Sequence, residues 1–271
     1  MIFKTVRALL LAIFALLIII PSLIVIFGSF KSDLEIYESP MSLPDAFKLD
    51  NYRTLFETSQ VFTNFRNSVF VTSMSVFITL LLASMTAFAL SRMVNLSAKV
   101  MFALFSLGLA IPAQVNMIPL FILFNDLKLT NSFFGLILVN IVTTLPISIF
   151  ILTSFFRELP REMYEVSAID GASIFRIYRS IALPLSKPAM GATAIFLFVI
   201  NWNDLLYPLL LITQADKKTL PLAMLDFRGE YATSFSMIFT SVMIASVPMV
   251  IMYLTMQRSF VAGLTAGAVK G

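Results

Sequence analysis

The stretch LTNSFFGLILVNIVTTLPISIFILTSFF, residues 129 to 156, runs for 28 residues without Asp, Glu, Lys or Arg. A bilayer core about 30 Å thick needs roughly 20 apolar residues of helix to cross it. Hydrocarbon offers no hydrogen-bond partner to a bare backbone, whereas the strands of a membrane barrel are about ten residues long and alternating. This stretch therefore predicts a membrane-spanning helix.

Five more stretches have the same character, and only the fifth stretch of the six contains a charged residue, Asp204. The six stretches cover residues 8 to 30, 67 to 91, 100 to 125, 129 to 156, 188 to 215 and 231 to 257. The chain is 59% hydrophobic and 13% charged, against roughly 25% charged in average globular proteins. The sequence predicts an all-α polytopic membrane protein with six transmembrane helices in a single domain, residues 1 to 271.

The basic residues between the stretches predict the orientation, because positively charged loops stay on the cytoplasmic side. With the N-terminus inside, the inner segments hold 11 basic and 4 acidic residues, and the outer segments hold 8 and 10. The inner segments are 1 to 7, 92 to 99, 157 to 187 and 258 to 271. We expect both termini to be cytoplasmic and the first stretch to be a retained helix, because no cleavage pattern closes it before Lys31.

The residue types present exclude several classes of function. The chain has no cysteine and no histidine, which excludes disulfides, the commonest zinc and haem ligands, and histidine acid–base chemistry. No phosphate-binding loop G-x-x-x-x-G-K-[ST] occurs among the nine glycines, so ATP cannot be bound by that route. The sequence contains no basic stripe with interleaved aromatic residues, the pattern that would indicate nucleic-acid binding. Asp204 and Tyr207 could transfer a proton in a membrane-embedded enzyme, but the stretches contain no second carboxylate and no nucleophile paired with a base.

The inner segment 157 to 187 is long, charged and periodic. Pro160 suits the first position of a helix, and Asp170-Gly171 predicts a turn after it. Beyond the turn, apolar residues at helical spacing predict a short second helix. They are Ile174, Phe175, Ile177, Tyr178 and Ile181. Such a stripe rests on a membrane surface or docks in a partner's groove, and the spacing does not separate these two interpretations.

The segment also carries a motif, EVSAIDGA at 165 to 172 followed by IALP at 181 to 184. It resembles the cytoplasmic EAA loop of binding-protein-dependent ABC importer permeases, E-A-A, three residues, G, nine residues, I-x-L-P. Val166 and Ser167 depart from the two alanines. The stretches FKLDNYRTLF, AFALSR, NWNDLLYPLLL and RSFVAGLTAGAVKG are similar to the second, shorter permease of maltose-type sugar transporters.

The resemblance implies a permease subunit that forms half of a path for a sugar or related polyhydroxylated solute, and no enzyme. The implied partners are a second permease, two ATPase subunits that bind ATP and Mg, an external binding protein and the lipid bilayer of a bacterial or archaeal cytoplasmic (inner) membrane. No cofactor or metal is expected on this chain. The residues implied to couple it to the ATPase are Glu165, Ala168, Asp170, Gly171, Ala172, Ile174, Phe175, Ile181, Leu183 and Pro184.

Polar residues within the stretches are candidates for the substrate path. Asp204 is flanked by Asn201, Trp202, Asn203 and Tyr207, a set in which an aromatic ring can stack on a sugar and amides can bind hydroxyls. Further candidates are Gln114, Asn116 and Asn140. The alternatives are helix capping beside Pro208 for Asp204, and helix-to-helix hydrogen bonds for the amides.

The external segments 31 to 66 and 214 to 234 are expected to touch the binding protein. The first of these contains LDNYRTLFET, which predicts a short surface helix. The main alternative function is a secondary transporter or channel that is not driven by ATP. Such proteins carry buried charges in several helices or a filter-like loop, and they purify without an ATPase. A single acid near an interface fits them poorly.

Overall fold

A computed structural model describes residues 2–228 and 233–268, and these residues are mainly helical. No strand forms within these two ranges, where one isolated bridge pairs Arg228 with Thr233. The α-helices are α1 Ile2–Gly28, α2 Asp33–Glu38, α3 Asp50–Thr58, α4 Val61–Arg92, α5 Leu96–Gly108, α6 Met117–Asp126, α7 Phe133–Glu158, α8 Arg161–Ile169, α9 Ile174–Ile177, α10 Leu183–Leu185, α11 Lys187–Trp202, α12 Leu206–Leu211, α13 Leu220–Ala223 and α14 Phe235–Ala268.

Several of these helices are long and apolar enough to cross a membrane. Within the described residues α1, α4, α7 and the part of α14 up to Thr255 each qualify alone. Two bent pairs qualify together: Leu96–Gly108 with Ala113–Asp126, at 89°, and Ile174–Leu185 with Lys187–Trp202, at 75°. The prediction of a helical membrane protein is confirmed, with four such helices, or up to six if each bent pair is one span.

The third stretch, predicted as one helix over 100 to 125, is broken. Helix α5 ends at Gly108, and a 3₁₀ turn, Ala113–Asn116, precedes α6. Pro112 supplies the physical reason, since it has no backbone N–H to continue the helix and disfavours helical backbone at the residue before it. The absence of charged residues over 100 to 125 shows that the stretch is apolar, but it does not show where a proline breaks the helix.

The fifth stretch, predicted over 188 to 215, is also two helices. Helix α11 ends at Trp202 and the six-residue α12 follows after Asn203, Asp204 and Leu205. The Asp204 carboxylate competes for backbone donors here, because its Oδ1 accepts hydrogen bonds from the N–H of Leu206 at 3.1 Å and of Tyr207 at 3.4 Å. A short polar side chain that binds nearby backbone favours a helix start over a helix interior.

The described part of the chain divides into two compact units. The first comprises residues 1–65 and 219–248. In it the ammonium of Lys31, 2% exposed, donates to the Ser39 carbonyl at 2.8 Å and to Ser42 Oγ at 2.9 Å. The predicted surface helix is confirmed as α3, and Asn51 on it donates to the carbonyls of Ser29 and Lys31. The segment 31 to 66, which was predicted to be external, therefore contains folded structure.

The second unit comprises residues 66–218 and 249–271. Its central element is α7, which packs against both α5 and α11. Small hydroxyl side chains line the buried face of α7, among them Thr144, whose Oγ1 lies 3.4 Å from that of Thr79 on α4. Small polar residues allow close approach of helices inside a membrane. The residues that flank the segment 159–186, which joins α7 to α11, share one buried cluster, because Phe156 and Ala189 both belong to it.

The connection after α12 is tied to the hairpin before α7. The Asn131 side-chain oxygen accepts from the N–H of Thr213 at 2.7 Å and of Gln214 at 3.0 Å, and Lys217 Nζ donates to the Asn131 carbonyl at 2.8 Å. Asn67 adds two bonds to the carbonyls of Asp216 and Lys218. The start of the predicted external connection 214 to 234 is thus ordered, and its residues 229–232 lie outside the described residues.

Candidate functional site

The segment 161–185, called the elbow below, consists of two short arms. The first arm is α8, which ends in a left-handed glycine: Gly171 has φ +79°. Its N–H donates to the Ala168 carbonyl, and the N–H of Ala172 donates to that of Ser167, both at 3.0 Å. These two bonds define a Schellman motif, in which the glycine position needs a positive φ. The predicted turn at Asp170-Gly171 is confirmed.

The second arm starts two residues later. Ser173 caps α9 by accepting a hydrogen bond from the N–H of Arg176 at 3.3 Å. The helix continues through a π-helical turn, Tyr178–Ala182, into α10. Only Ser186, fully buried, separates α10 from α11, and its Oγ donates to the Leu183 carbonyl. At the other end, residues 159–160 alone separate α7 from α8. The linkers that join the elbow to α7 and α11 are therefore only two residues and one residue long.

An aromatic cluster attaches the elbow to the spanning helices. Phe88 on α4 lies at its centre, with ring-centroid distances of 5.9 Å to Phe156 on α7, 6.0 Å to Tyr164 on α8 and 5.4 Å to Tyr178. All four side chains are at most 7% exposed. Aromatic pairs at these distances stabilise packing by about 0.5–1.5 kcal/mol each beyond the area they bury. Both arms of the elbow therefore share one core with α4 and α7.

Polar contacts reinforce the same attachment. The Tyr178 hydroxyl lies 2.8 Å from Ser84 Oγ on α4. The Arg92 guanidinium lies 4.1 Å from the centre of the Tyr164 ring. Burial raises the pKa of the Tyr164 hydroxyl, and the positive charge of Arg92 partly opposes the rise. Ser84, Phe88 and Arg92 were not predicted as parts of this site, although Phe88 and Arg92 share one helical face at the spacing i, i+4.

The outer surface of the elbow is apolar and exposed. Around the glycine turn lies a tip of four large apolar side chains that are at least half exposed: Val166 at 58%, Ile169 at 85%, Ile174 at 78% and Phe175 at 59%. The predicted stripe does not stay on one face, because Ile177 and Tyr178 turn inward. Of the residues implied for coupling, Glu165, Ala168, Asp170, Gly171 and Pro184 are also exposed, whereas Ala172, Ile181 and Leu183 pack against the core.

Residues predicted for the substrate path are partly hidden within the chain. Trp202 is 2% exposed and stacks on Phe198 with ring centroids 5.5 Å apart and planes at 10°. Asn201 and Tyr207 are also buried, at 7% each, and the Asn201 side-chain nitrogen is a buried donor without a hydrogen-bond partner. Asn203 is exposed and donates to the Val199 carbonyl at 2.8 Å.

Asp204 caps the start of α12. Helix capping was one of the two roles considered for it from the sequence, the other being contact with the substrate. Its Oδ1 accepts the two backbone hydrogen bonds at the start of α12, while its Oδ2 is buried without a hydrogen-bond partner.

The remaining candidates for the substrate path lie elsewhere in the fold. Gln114 and Asn116 are exposed on the 3₁₀ turn that breaks the third stretch, and Asn140 is 3% exposed on α7. Helix α12 packs against both α6 and α7.

Comparisons with known proteins agree with this architecture. Residues 79–265 match the family described as "Binding-protein-dependent transport system inner membrane component". The chain is 33% identical to the diacetylchitobiose uptake system permease protein NgcG of Streptomyces coelicolor, over 99% of this chain and 89% of that protein. It is 31% identical to the melibiose/raffinose/stachyose import permease protein MelC of Bacillus subtilis, over 97% and 95%.

A solved structure shows the same fold. It is that of a bacterial ABC transporter involved in the import of the acidic polysaccharide alginate, and it superimposes with a TM-score of 0.84 over 96% of each chain at 22% identity. The family match covers more than half of this chain, including α7, the whole elbow and α11. The chain therefore belongs to the family of inner membrane components of binding-protein-dependent transport systems.

Proposed function

We propose that this permease imports a sugar or related polyhydroxylated solute and that its elbow couples it to ATP hydrolysis on partner subunits. Members of the family are transport subunits and not enzymes. The names of NgcG and MelC assign oligosaccharide import to those relatives, which supports the sugar. The observation that supports the coupling is the exposed apolar tip at Gly171.

The chemistry of the tip favours a protein partner over a membrane surface. Residues 162 to 175 contain three acidic residues, Glu162, Glu165 and Asp170, and no basic one. Helices that rest on anionic membranes are rich in Lys and Arg on their polar face. An exposed apolar patch with a polar rim is typical of a protein–protein contact or a membrane contact, and the acidic character of this rim favours the protein. The tip therefore fits a groove on a cytoplasmic ATPase better than it fits a bilayer.

Attachment at both ends allows the elbow to act as a lever. A rigid element docked in a moving partner passes on motion because packed surfaces shift between discrete arrangements. The elbow is continuous with α7 and α11 and shares the Phe88 cluster with α4. Closure of two ATPase subunits around ATP and Mg would then move these helices and open one face of the path.

The proposed arrangement has six spans and both termini in the cytoplasm. The bent pair Leu96–Gly108 with Ala113–Asp126 counts as the third span. The fifth span is the predicted stretch 188 to 215, without the elbow that precedes it. The distribution of basic residues supports it. A second permease completes the path in the cytoplasmic membrane of a bacterium or archaeon. The external segments 31 to 66 and 214 to 234 are proposed to receive the binding protein. Residues 269–271 of the terminal motif lie outside the described residues.

Crosslinking tests the docking directly, because the chain has no cysteine of its own. Single cysteines at Ile169 and Ile174, the most exposed positions of the tip, are expected to crosslink to an ATPase subunit in the assembled transporter. The matched control is Leu43→Cys, an exposed apolar position on the external segment, which is expected to give no such product. Tip cysteines that reach no protein neighbour during import would refute the proposal.

Trp202 permits a test of the proposed substrate path. Replacement by alanine is expected to lower stability by about 3–5 kcal/mol, since a buried aromatic is deleted, whereas Trp202→Phe keeps a ring against Phe198. Sugar stacking on the indole predicts that the phenylalanine variant, at near-normal melting temperature, needs a several-fold higher sugar concentration for half-maximal uptake. An unchanged value in a stable variant would remove Trp202 from the path.

A further inference from the structure

A cavity of about 520 Å³ lies where α4 and α7 end and α5 and α8 begin. Four basic side chains line it: Arg92, Lys99, Arg157 and Arg161. Within the part of the chain that the structure describes, no aspartate or glutamate contributes to this lining. Its size falls within the roughly 300–1,000 Å³ of small-ligand pockets. The cavity is therefore large and basic enough to hold an anionic group.

Two of the guanidinium groups are positioned by aromatic rings. Arg92 lies over Tyr164, and Arg157 lies 4.9 Å from the centre of the Phe102 ring on α5. Contact with a ring face orients a cation without neutralising its charge. Arginine stays protonated and presents donors that match phosphate oxygens in a bidentate geometry. The positive field of the four side chains adds inside the cavity and favours a phosphate there.

The edge of the cavity is apolar. Met93 and Val94 belong to its lining and are 43% and 76% exposed. The cavity also lies at the ends of two membrane-spanning helices, the level at which phospholipid headgroups meet acyl chains. A free phosphate ion would use the basic residues and leave this apolar edge uncovered. A ligand with a negative head and an apolar tail would use both.

We propose that this cavity binds the headgroup of an anionic phospholipid, with its phosphate among Arg92, Lys99 and Arg157 and its acyl chains past Met93 and Val94. Basic pockets between spanning helices recognise anionic headgroups in this way. The proposal depends on the membrane fold and not on the coupling role of the elbow. A failed lipid test therefore leaves the crosslinking test of the tip unaffected, and the reverse also holds.

A lipid titration tests the site. The assembled transporter is purified in detergent, and its melting temperature is followed as phosphatidylglycerol is added, with phosphatidylcholine and inorganic phosphate in parallel. We expect saturable stabilisation by phosphatidylglycerol only. In Lys99→Gln/Arg157→Gln the half-saturating lipid concentration is expected to rise about tenfold, because charge-assisted contacts are lost. Lys4→Gln/Arg7→Gln, which removes two exposed charges from α1, is expected to stay within about twofold.

Cysteine protection gives a second measurement in case the double variant folds poorly. Met93→Cys lines the cavity, and Leu96→Cys, three residues further along the chain and outside the lining, is the control. Phosphatidylglycerol is expected to slow maleimide labelling at position 93 and not at 96. The proposal is overturned by equal effects of phosphatidylcholine, by equal potency of inorganic phosphate, by equal loss in the α1 variant, or by protection that requires the ATPase instead of lipid.

Discussion

Gly171→Pro is expected to abolish uptake and substrate-driven ATP hydrolysis while the protein still reaches the membrane. Proline fixes φ near −65°, and residue 171 has φ +79°. The substitution also removes the N–H that donates to the Ala168 carbonyl. The Schellman motif cannot form, so the two arms can no longer hold the tip in its docking shape. Uptake in vesicles and ATPase stimulation by the binding protein measure the effect.

A graded series at this position separates backbone conformation from size. No atom lies within 4 Å of a methyl group placed on Gly171, so Gly171→Ala meets only the left-handed backbone cost of roughly 1–2 kcal/mol. Asparagine tolerates that conformation better than alanine. We expect transport to decrease in the order Gly, Asn, Ala, Pro. Normal uptake by the proline variant would contradict the lever, whereas equal damage by all three would indicate that any side chain at position 171 collides with the docked partner.

Phe88→Ala is expected to have the second largest effect, because it removes the ring shared by Phe156, Tyr164 and Tyr178. Deleting a buried aromatic costs about 3–5 kcal/mol, and Phe88 is 5% exposed. Both arms of the elbow would lose their common support on α4. We expect a lower melting temperature and an ATPase activity that no longer responds to the binding protein.

The matched control is Phe77→Ala on the same helix, since Phe77 is 64% exposed and its removal should change stability little. Labelling of Ala168→Cys in the elbow offers a local readout in a chain without native cysteines. We expect faster labelling in the Phe88 variant than in the control. A Phe88 variant that melts earlier but keeps its response to the binding protein would show that the cluster stabilises the fold without carrying motion.

Sequence reasoning predicted elements whose signals are local. Long uncharged runs marked the spanning helices, and Asp170-Gly171 marked the turn, because a left-handed glycine is required by the backbone at that point alone. The break at Pro112 was also local, but a scan for charged residues does not register a proline. The prediction of one helix over 100 to 125 was wrong for that reason.

The support of the elbow could not be predicted in the same way. Phe88 and Tyr178 are 90 positions apart in the chain, and their contact exists only once α4 and the elbow are packed together. The sequence left two interpretations of Asp204 open for a similar reason, because its capping bonds depend on where α11 ends. The basic cavity likewise draws on four helices. Motif spacing located the elbow, and tertiary packing decides which of its residues face outward.

The connections at the two ends of the elbow have a mechanical consequence. A stroke applied at Gly171 reaches α7 through two residues and α11 through the single buried Ser186, so slack backbone cannot absorb it. A displacement of the elbow would therefore move α7 and α11 together.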